Sequence, residues 1–276
     1  MYNIEDGEHK EDVVVSWIIT HKCQEGCAYC ISPKCSTEIE DEKSHMLIQD
    51  KLIKNGVTKI RYIGGEPLLI PHICKLVKDA HERGVNTRIS TNARLLTPEL
   101  FDKIKDYVDS LAFPFESLDD ELNESIRNSK NHKAIIQSRI EMVKKCKNIG
   151  IIINTCVHKE NYDKLMELGN YLNNVKVNHW KLRKFAYHSG RGAVKNKERF
   201  NLSDELFFDT VHKLQETYHN IKINERLPKK LETRLMVSPQ GDLYRMVGDA
   251  GQFVHYGNIL KDDLNIQKIY EKDHCN

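Results

Sequence analysis

Two hydrophobic rhythms alternate along the chain. Short apolar, β-branched runs recur at "VVVSWIIT" (Val13 to Thr20), "TKIRYIG" (Thr58 to Gly64), "VNTRIST" (Val85 to Thr91), "SLAFPF" (Ser110 to Phe115), "GIIINTCV" (Gly150 to Val157) and "VNHWKLRKF" (Val177 to Phe185). Each predicts a strand. Between them, apolar residues at helical spacing predict helices. "SHMLIQDKLIKNG" stops at Gly56, and "PHICKLVKDAHERG" is expected to carry Pro71 in its first turn and stop at Gly84. "TPELFDKIKDY" starts on Thr97 as N-cap with Pro98 at the first helical position. "KAIIQSRIEMVKKCKN", "NYDKLMELGNYLNN" and "SDELFFDTVHKLQETY" continue the series. This repeated alternation predicts a parallel α/β sheet, open or curled into part of a barrel. Beyond Asn220 the rhythm weakens. "RLMVSPQGDLYRMV" predicts a hairpin turning at Pro239-Gln240-Gly241, and the polar tail from Leu260 is expected to be loosely held.

Composition narrows the classes. A chain of 276 residues can bury a core without disulfide support. Its 42 basic and 40 acidic side chains leave a net charge of +2, which sets up no global field for a polymeric nucleic acid. Anion recognition must come from local placement instead. No apolar run approaches the ~20 residues of a membrane span, and the first residues carry no export signal. A cytoplasmic, reducing setting is therefore expected, in which the eight cysteines serve as ligands or buried thiols.

In a parallel sheet the loops after the strand C-termini carry the chemistry. Cys23, Cys27 and Cys30 follow the first strand, Gly64-Gly65-Glu66-Pro67 the second, and Ser90-Thr91-Asn92 ends the third. Three thiols within eight residues suit a soft metal. A structural zinc site needs a fourth ligand, for which His21 and Cys35 are candidates; three ligands and an open position suit a reactive centre. Cys74 and Cys146 are expected as helix core thiols and Cys156 as packing, with His132, His158 and His188 at the surface. Strand alternation puts His179, Lys181 and Arg183 on one face opposite Trp180 and Leu182, and Lys59 and Arg61 opposite Ile60 and Tyr62. The apolar residues suit the helix-covered outside, so the basic ones are expected to face the lumen. Desolvating them calls for an anionic small substrate. The run "RGAVKNKERF" (Arg191 to Phe200) is expected either to close over that anion or to stay a solvated loop.

The spacing Cys23-x3-Cys27-x2-Cys30, with Tyr29 before the last cysteine and "GGEP" and "STN" following in order, resembles the radical S-adenosylmethionine (SAM) superfamily. The resemblance implies a six-stranded partial (β/α)6 TIM-like barrel with a small C-terminal hairpin extension. It implies a [4Fe–4S] cluster on Cys23, Cys27 and Cys30 whose fourth iron is chelated by SAM. Gly64, Gly65 and Glu66 would hold the methionine amino end, and Ser90 and Asn92 the SAM polar atoms. An electron donor such as flavodoxin or ferredoxin would drive cleavage of SAM to a 5′-deoxyadenosyl radical, which abstracts hydrogen from the substrate.

Within that superfamily "LDDELNESIR" (Leu118 to Arg127), "INTCVHKEN" (Ile153 to Asn161) and "HWKLRKF" (His179 to Phe185) resemble the viperin-type enzymes. That branch implies a nucleoside triphosphate substrate and a 3′-deoxy-3′,4′-didehydro product. Arg127 would meet the SAM carboxylate, Asn154 the substrate, and Lys59 and Lys181 the phosphates. The chain departs from the branch at Ile152 and His179, where basic residues are usual, and at Pro114 and Glu116, where serine and aspartate are usual. Arg61 and Arg183 are expected to supply the missing charge. "LMVSPQGDLYRMV" and "VHYGNIL" resemble the SPASM or twitch module of peptide-modifying radical SAM enzymes. Met246 stands where that module has a cluster cysteine and only Cys275 lies in the region, so no auxiliary cluster is expected. The expected organisation is a barrel over residues 1–205 and a helix plus hairpin over 206–276. A peptide-modifying enzyme with a degenerate module and a non-catalytic Fe–S or zinc module stay open as alternatives.

Overall fold

Six strands form where the β-branched runs predict them: β1 (Val14–Thr20), β2 (Lys59–Gly64), β3 (Asn86–Ser90), β4 (Ser110–Pro114), β5 (Gly150–Val157) and β6 (His179–Lys184). The structure is a computed structural model and describes residues 12–33, 37–187, 190, 192–227, 235–247 and 252–274. Cys35, His188, Arg191 and Cys275 lie outside the described residues. The six strands pair in chain order, all parallel. Stepwise neighbour pairing with helical crossovers is the winding of a partial TIM-like barrel, not of a sheet whose order reverses midway.

Helices α1 (Glu42–Lys54), α2 (Ile73–Glu82), α3 (Pro98–Ile104), α4 (Asp120–Arg127), α5 (His132–Val143) and α6 (Leu165–Val175) connect the strands. Thr97 caps α3 as expected, its hydroxyl accepting from Leu100 N. α1 begins two residues before the expected Ser44, because the Asp41 carboxylate accepts from Ser44 N at 2.8 Å. Pro71 lies outside α2, whose N-cap is His72. Strand alternation sorts the two faces. Trp17, Tyr62, Ile89, Leu111, Ile153 and Trp180 pack with the helices into the main core, each burial contributing roughly 1.5–3 kcal/mol. Ser16, Arg61, Arg88, Ala112, Asn154 and Arg183 face the interior instead.

After β6 come α7 (Lys197–Phe200), α8 (Asp204–Thr217) and β7 (Lys222–Arg226), which adds in parallel beside β6. β8 (Leu235–Val237) lies parallel to β1 on its other edge, and β9 (Asp242–Val247) and β10 (Gln252–Asn258) extend the sheet antiparallel. The expected hairpin is β8–β9, turning at Gly241 with φ of 88°. One hydrogen-bonded sheet thus runs across the expected boundary between residues 205 and 206.

Two further expectations fail. The tail from Leu260 is not loosely held: it forms α9 (Ile266–His274), whose Ile266 and Tyr270 are buried. Ile266 N donates to Asn55 Oδ1, so the helix docks at the end of α1. His132 and His158, expected at the surface, are fully buried. His132 Nε2 donates to the Pro114 carbonyl at 3.1 Å, and the His158 ring stacks on Phe200. No helix among the described residues is long and apolar enough to cross a membrane.

Candidate active site at the mouth of the barrel

The loops after β1, β2 and β3 are joined by direct hydrogen bonds. Gly65 N donates to Thr20 O at 2.7 Å and Glu66 N to Lys22 O at 2.8 Å. Only glycine permits this approach, since a Cβ on Gly65 would sit 2.1 Å from Lys22 O, and one on Gly64 2.2 Å from Thr20 O. The Glu66 carboxylate accepts from Leu68 N (3.0 Å), Thr91 Oγ1 (2.7 Å) and Asn92 N (2.7 Å). Burial pushes Glu66 up to about 7 against the pull of those donors. Asn92 in turn takes a hydrogen bond from Gln24 at 3.1 Å, and its Nδ2 lies 3.7 Å from Cys23 Sγ. Gly64, Gly65, Ser90 and Asn92 line the interior cavity, as does Thr91, which sequence reasoning left out. Glu66 is not on that wall. Its carboxylate is a joint between two loops.

Cys27 and Cys30 also line the cavity. Their loop turns through a Cys30 N to Cys27 O hydrogen bond of 3.1 Å, while Glu25 N donates to Cys23 Sγ at 3.4 Å. Glu25, between two of the cysteines, is buried and receives Arg127 at 2.6 Å, Arg94 at 3.1 Å and Ser129 Oγ at 2.9 Å. Burial opposes its charge, yet the attraction of Arg127 and the hydrogen bonds of Ser129 and Arg127 hold it below the usual carboxylate range. Arg127 also donates to the Tyr29 hydroxyl, and that hydroxyl donates to Glu116 Oε1 at 2.6 Å. Burial raises the thiols of Cys23 and Cys27, the latter to about 12, so the free thiols are protonated until a metal takes them. Arg127 lies on the wall, and its Nε is buried with no hydrogen-bond partner among the described residues.

A second segment presses on the cysteine loop from the other side. Gly192 N and Ala193 N both donate to Cys30 O, at 3.1 and 3.2 Å, and Asn196 Nδ2 donates to Ala28 O at 3.0 Å. A Cβ on Gly192 would lie 2.5 Å from Cys27 O. The described part of "RGAVKNKERF" is therefore a brace on the cysteine loop.

The cavity behind these loops has a volume of about 430 Å³. Its charged wall residues, among those described, are Arg61, Arg88, Arg127, Arg183, Lys184 and Arg226. Arg61 donates to Asn86 Oδ1 at 2.9 Å and Arg88 to Ser110 Oγ at 3.1 Å. Of the expected substrate-binding residues, Arg61, Asn154 and Arg183 line the cavity, and Asn154 Oδ1 is buried without a partner among the described residues. Lys59, His179 and Lys181 do not line it. Lys59 and His179 are the first residues of their strands, below the mouth, and Lys59 pairs with Asp12 at 2.5 Å. Lys181 shares the inward face of β6 one step deeper than Arg183. Arg88 and Arg226 were missed. The alternation of Asn86, Arg88 and Ser90 carries the signal for the first, whereas "KINER" is too polar to read as a strand.

Residues 17–172 match the family described as the Radical SAM superfamily. The chain belongs to the radical SAM superfamily. It is 25% identical over 279 residues to the S-adenosylmethionine-dependent nucleotide dehydratase of Flammeovirga pacifica, covering 94% of this chain and 89% of that protein. To proteins of the same description it is 28% identical over 243 residues in Lacinutrix mariniflava and over 211 residues in Siniperca chuatsi. Those matches cover 83% and 70% of this chain but only 50% and 57% of the relatives. Among solved structures, anSMEcpe with bound AdoMet superposes with a TM-score of 0.75 at 13% identity, over 95% of this chain and 82% of that one. Streptococcus suis SuiB bound to S-adenosylmethionine gives 0.73 at 15% identity, over 94% and 68%. These two show the fold.

A radical SAM enzyme uses a [4Fe–4S] cluster and SAM, and the residues present fit both. Among the described residues no three His, Cys, Asp or Glu side chains converge on a single ion. Thiols set apart along one loop suit a multi-iron cluster, in which each thiolate takes its own iron. His21, a candidate fourth zinc ligand, hydrogen-bonds Ser32 Oγ at 3.1 Å instead.

Proposed function

We propose that this radical SAM enzyme acts on a nucleoside triphosphate, dehydrating its ribose to a 3′-deoxy-3′,4′-didehydro product. The observation that carries the reading is the cationic wall directly beneath the cofactor loops: a small polyanion is its chemical complement, and the relatives are described as nucleotide dehydratases. On this reading Cys23, Cys27 and Cys30 hold the cluster. When bound and reduced, it supplies the electron that cleaves SAM to a 5′-deoxyadenosyl radical. The backbone of Gly64 and Gly65 and the side chains of Ser90 and Asn92 orient the SAM polar atoms, and Arg127 faces its carboxylate. Asn154 Oδ1 accepts from a ribose hydroxyl, which satisfies a buried oxygen otherwise left without a donor. Ile63, Ala112 and Pro114 keep water from the reacting carbon.

The test is anaerobic: reconstituted protein, dithionite and SAM, with 5′-deoxyadenosine quantified across a panel of nucleotides. One nucleoside triphosphate should stimulate cleavage well above the nucleoside alone, with activity abolished in Cys27→Ala and lowered roughly tenfold or more in Arg183→Ala. Cleavage indifferent to every nucleotide would retire the nucleotide substrate and leave the radical SAM enzyme standing.

A further inference from the structure

The side-chain amide of Asn92 is oriented by its neighbours. Its Oδ1 accepts from Gln24 Nε2 at 3.1 Å and from Arg94 N at 3.1 Å. Two N–H donors on one atom identify that atom as the oxygen, so the nitrogen stands at the other end of the amide. That nitrogen, Nδ2, lies 3.7 Å from Cys23 Sγ and donates to it. The backbone around it is fixed as well. Asn92 N donates to Glu66 Oε2 at 2.7 Å, and the buried Ala93 adopts a left-handed φ of 70° as the chain turns Arg94 N back toward Oδ1. An alanine held in that conformation is strained, and the surrounding bonds must maintain it.

Cys23 Sγ has a second donor, Glu25 N at 3.4 Å. Among the described residues the sulfurs of Cys27 and Cys30 receive no N–H, and Cys27 Sγ instead meets a carboxylate oxygen, Glu25 Oε2, at 3.7 Å. N–H donors aimed at a cluster sulfur draw off negative charge and so favour the reduced, more negative cluster. We propose that Asn92 tunes the reduction potential of the cluster through its hydrogen bond to Cys23 Sγ, with Gln24 and the Arg94 amide holding it in the donating orientation. Asn92 acts through the ligand and is thus a positioning residue. It also lines the cavity, and an amide nitrogen carries two hydrogens, so one remains for the SAM atoms. Raising the potential lets the same one-electron donor reduce a larger fraction of the chains. The proposal rests on Cys23 holding the cluster and is independent of the substrate.

The experiment is a potentiometric titration of the reconstituted, SAM-free protein, followed by the electron paramagnetic resonance signal of the reduced cluster. Without SAM, loss of a SAM contact does not enter. Asn92→Ala should weaken reduction roughly three- to tenfold, a negative shift of roughly 30–60 mV for one electron. Asn92→Asp has the same shape and cannot donate; it should shift the same way, and it replaces an alanine variant that fails to load iron. Gln24→Met, which frees the amide to turn, should give a smaller shift of the same sign. Ser90→Ala, on the same cavity wall without a bond to a cysteine sulfur, should leave the potential in place. An unchanged potential in the Asn92 variants at full iron content overturns the proposal and leaves the cluster assignment standing, as does an equal shift in Ser90→Ala. A Cys23→Ala chain that keeps a complete [4Fe–4S] signal overturns both.

Discussion

His45, His132 and His158 are held in the fold as neutral rings. Burial lowers each, to about 4, about 3 and about 4, helped by His72 beside the first and Arg127 beside the second. The hydrogen bonds agree: His45 Nδ1 meets His72 Nε2 at 2.8 Å, where one ring must accept, and His132 keeps its proton on the nitrogen facing the Pro114 carbonyl. The unfolded chain takes up protons near pH ~6.5, well before the folded one does. Stability is therefore complete above about pH 6.5 and drains away as the pH falls toward about 4, by roughly 2 kcal/mol for each ring. Urea unfolding of the apoprotein should show that slope, and His158→Phe should flatten part of it; a profile level from neutral pH to about 4.5 contradicts the burial argument. At this scale the cysteines, the paired glycines and the inward arginines of β2 and β6 were legible, because spacing and alternation are local. Glu25 was not. Its partners Arg94 and Arg127 are 69 and 102 residues away, and only the fold brings them to it.

The brace between β6 and α7 acts as an element rather than as single residues. Its two backbone donors and Asn196 fix the carbonyls of Ala28 and Cys30, so the orientation of the cysteine loop depends on a segment remote in sequence. Gly192→Val would force that contact apart by about 1 Å, a displacement that lowers SAM cleavage about a hundredfold. Iron per chain should fall with it, and Asn196→Ala should give a milder loss of the same kind. Normal iron content and rate in Gly192→Val would mean that the loop holds itself. Strands β1 to β6 were readable because fully buried strands are almost continuous in apolar, β-branched residues. β7 and α9 were not, since each places few apolar side chains inward: Ile223 in one, Ile266 and Tyr270 in the other.

Across the whole molecule, the C-terminal segment completes the sheet and the helical layer rather than hanging from them. Lys51 of α1 donates to the Ile259 carbonyl at 2.7 Å, and α9 covers the helix end beyond it. Tyr270→Ala should therefore cost about 3 kcal/mol in chemical unfolding; an effect within about 0.5 kcal/mol would show α9 to be dispensable. The parallel pairing of β8 with β1 has a consequence in time. Val15, Ser16 and Trp17 meet Leu235, Met236 and Val237, so β1 gains its second neighbour from a strand made much later in the chain. Until then β1 presents an open edge to other nascent chains, just ahead of the cysteine loop. Any message truncated before Leu235 yields a product with an exposed edge on β1.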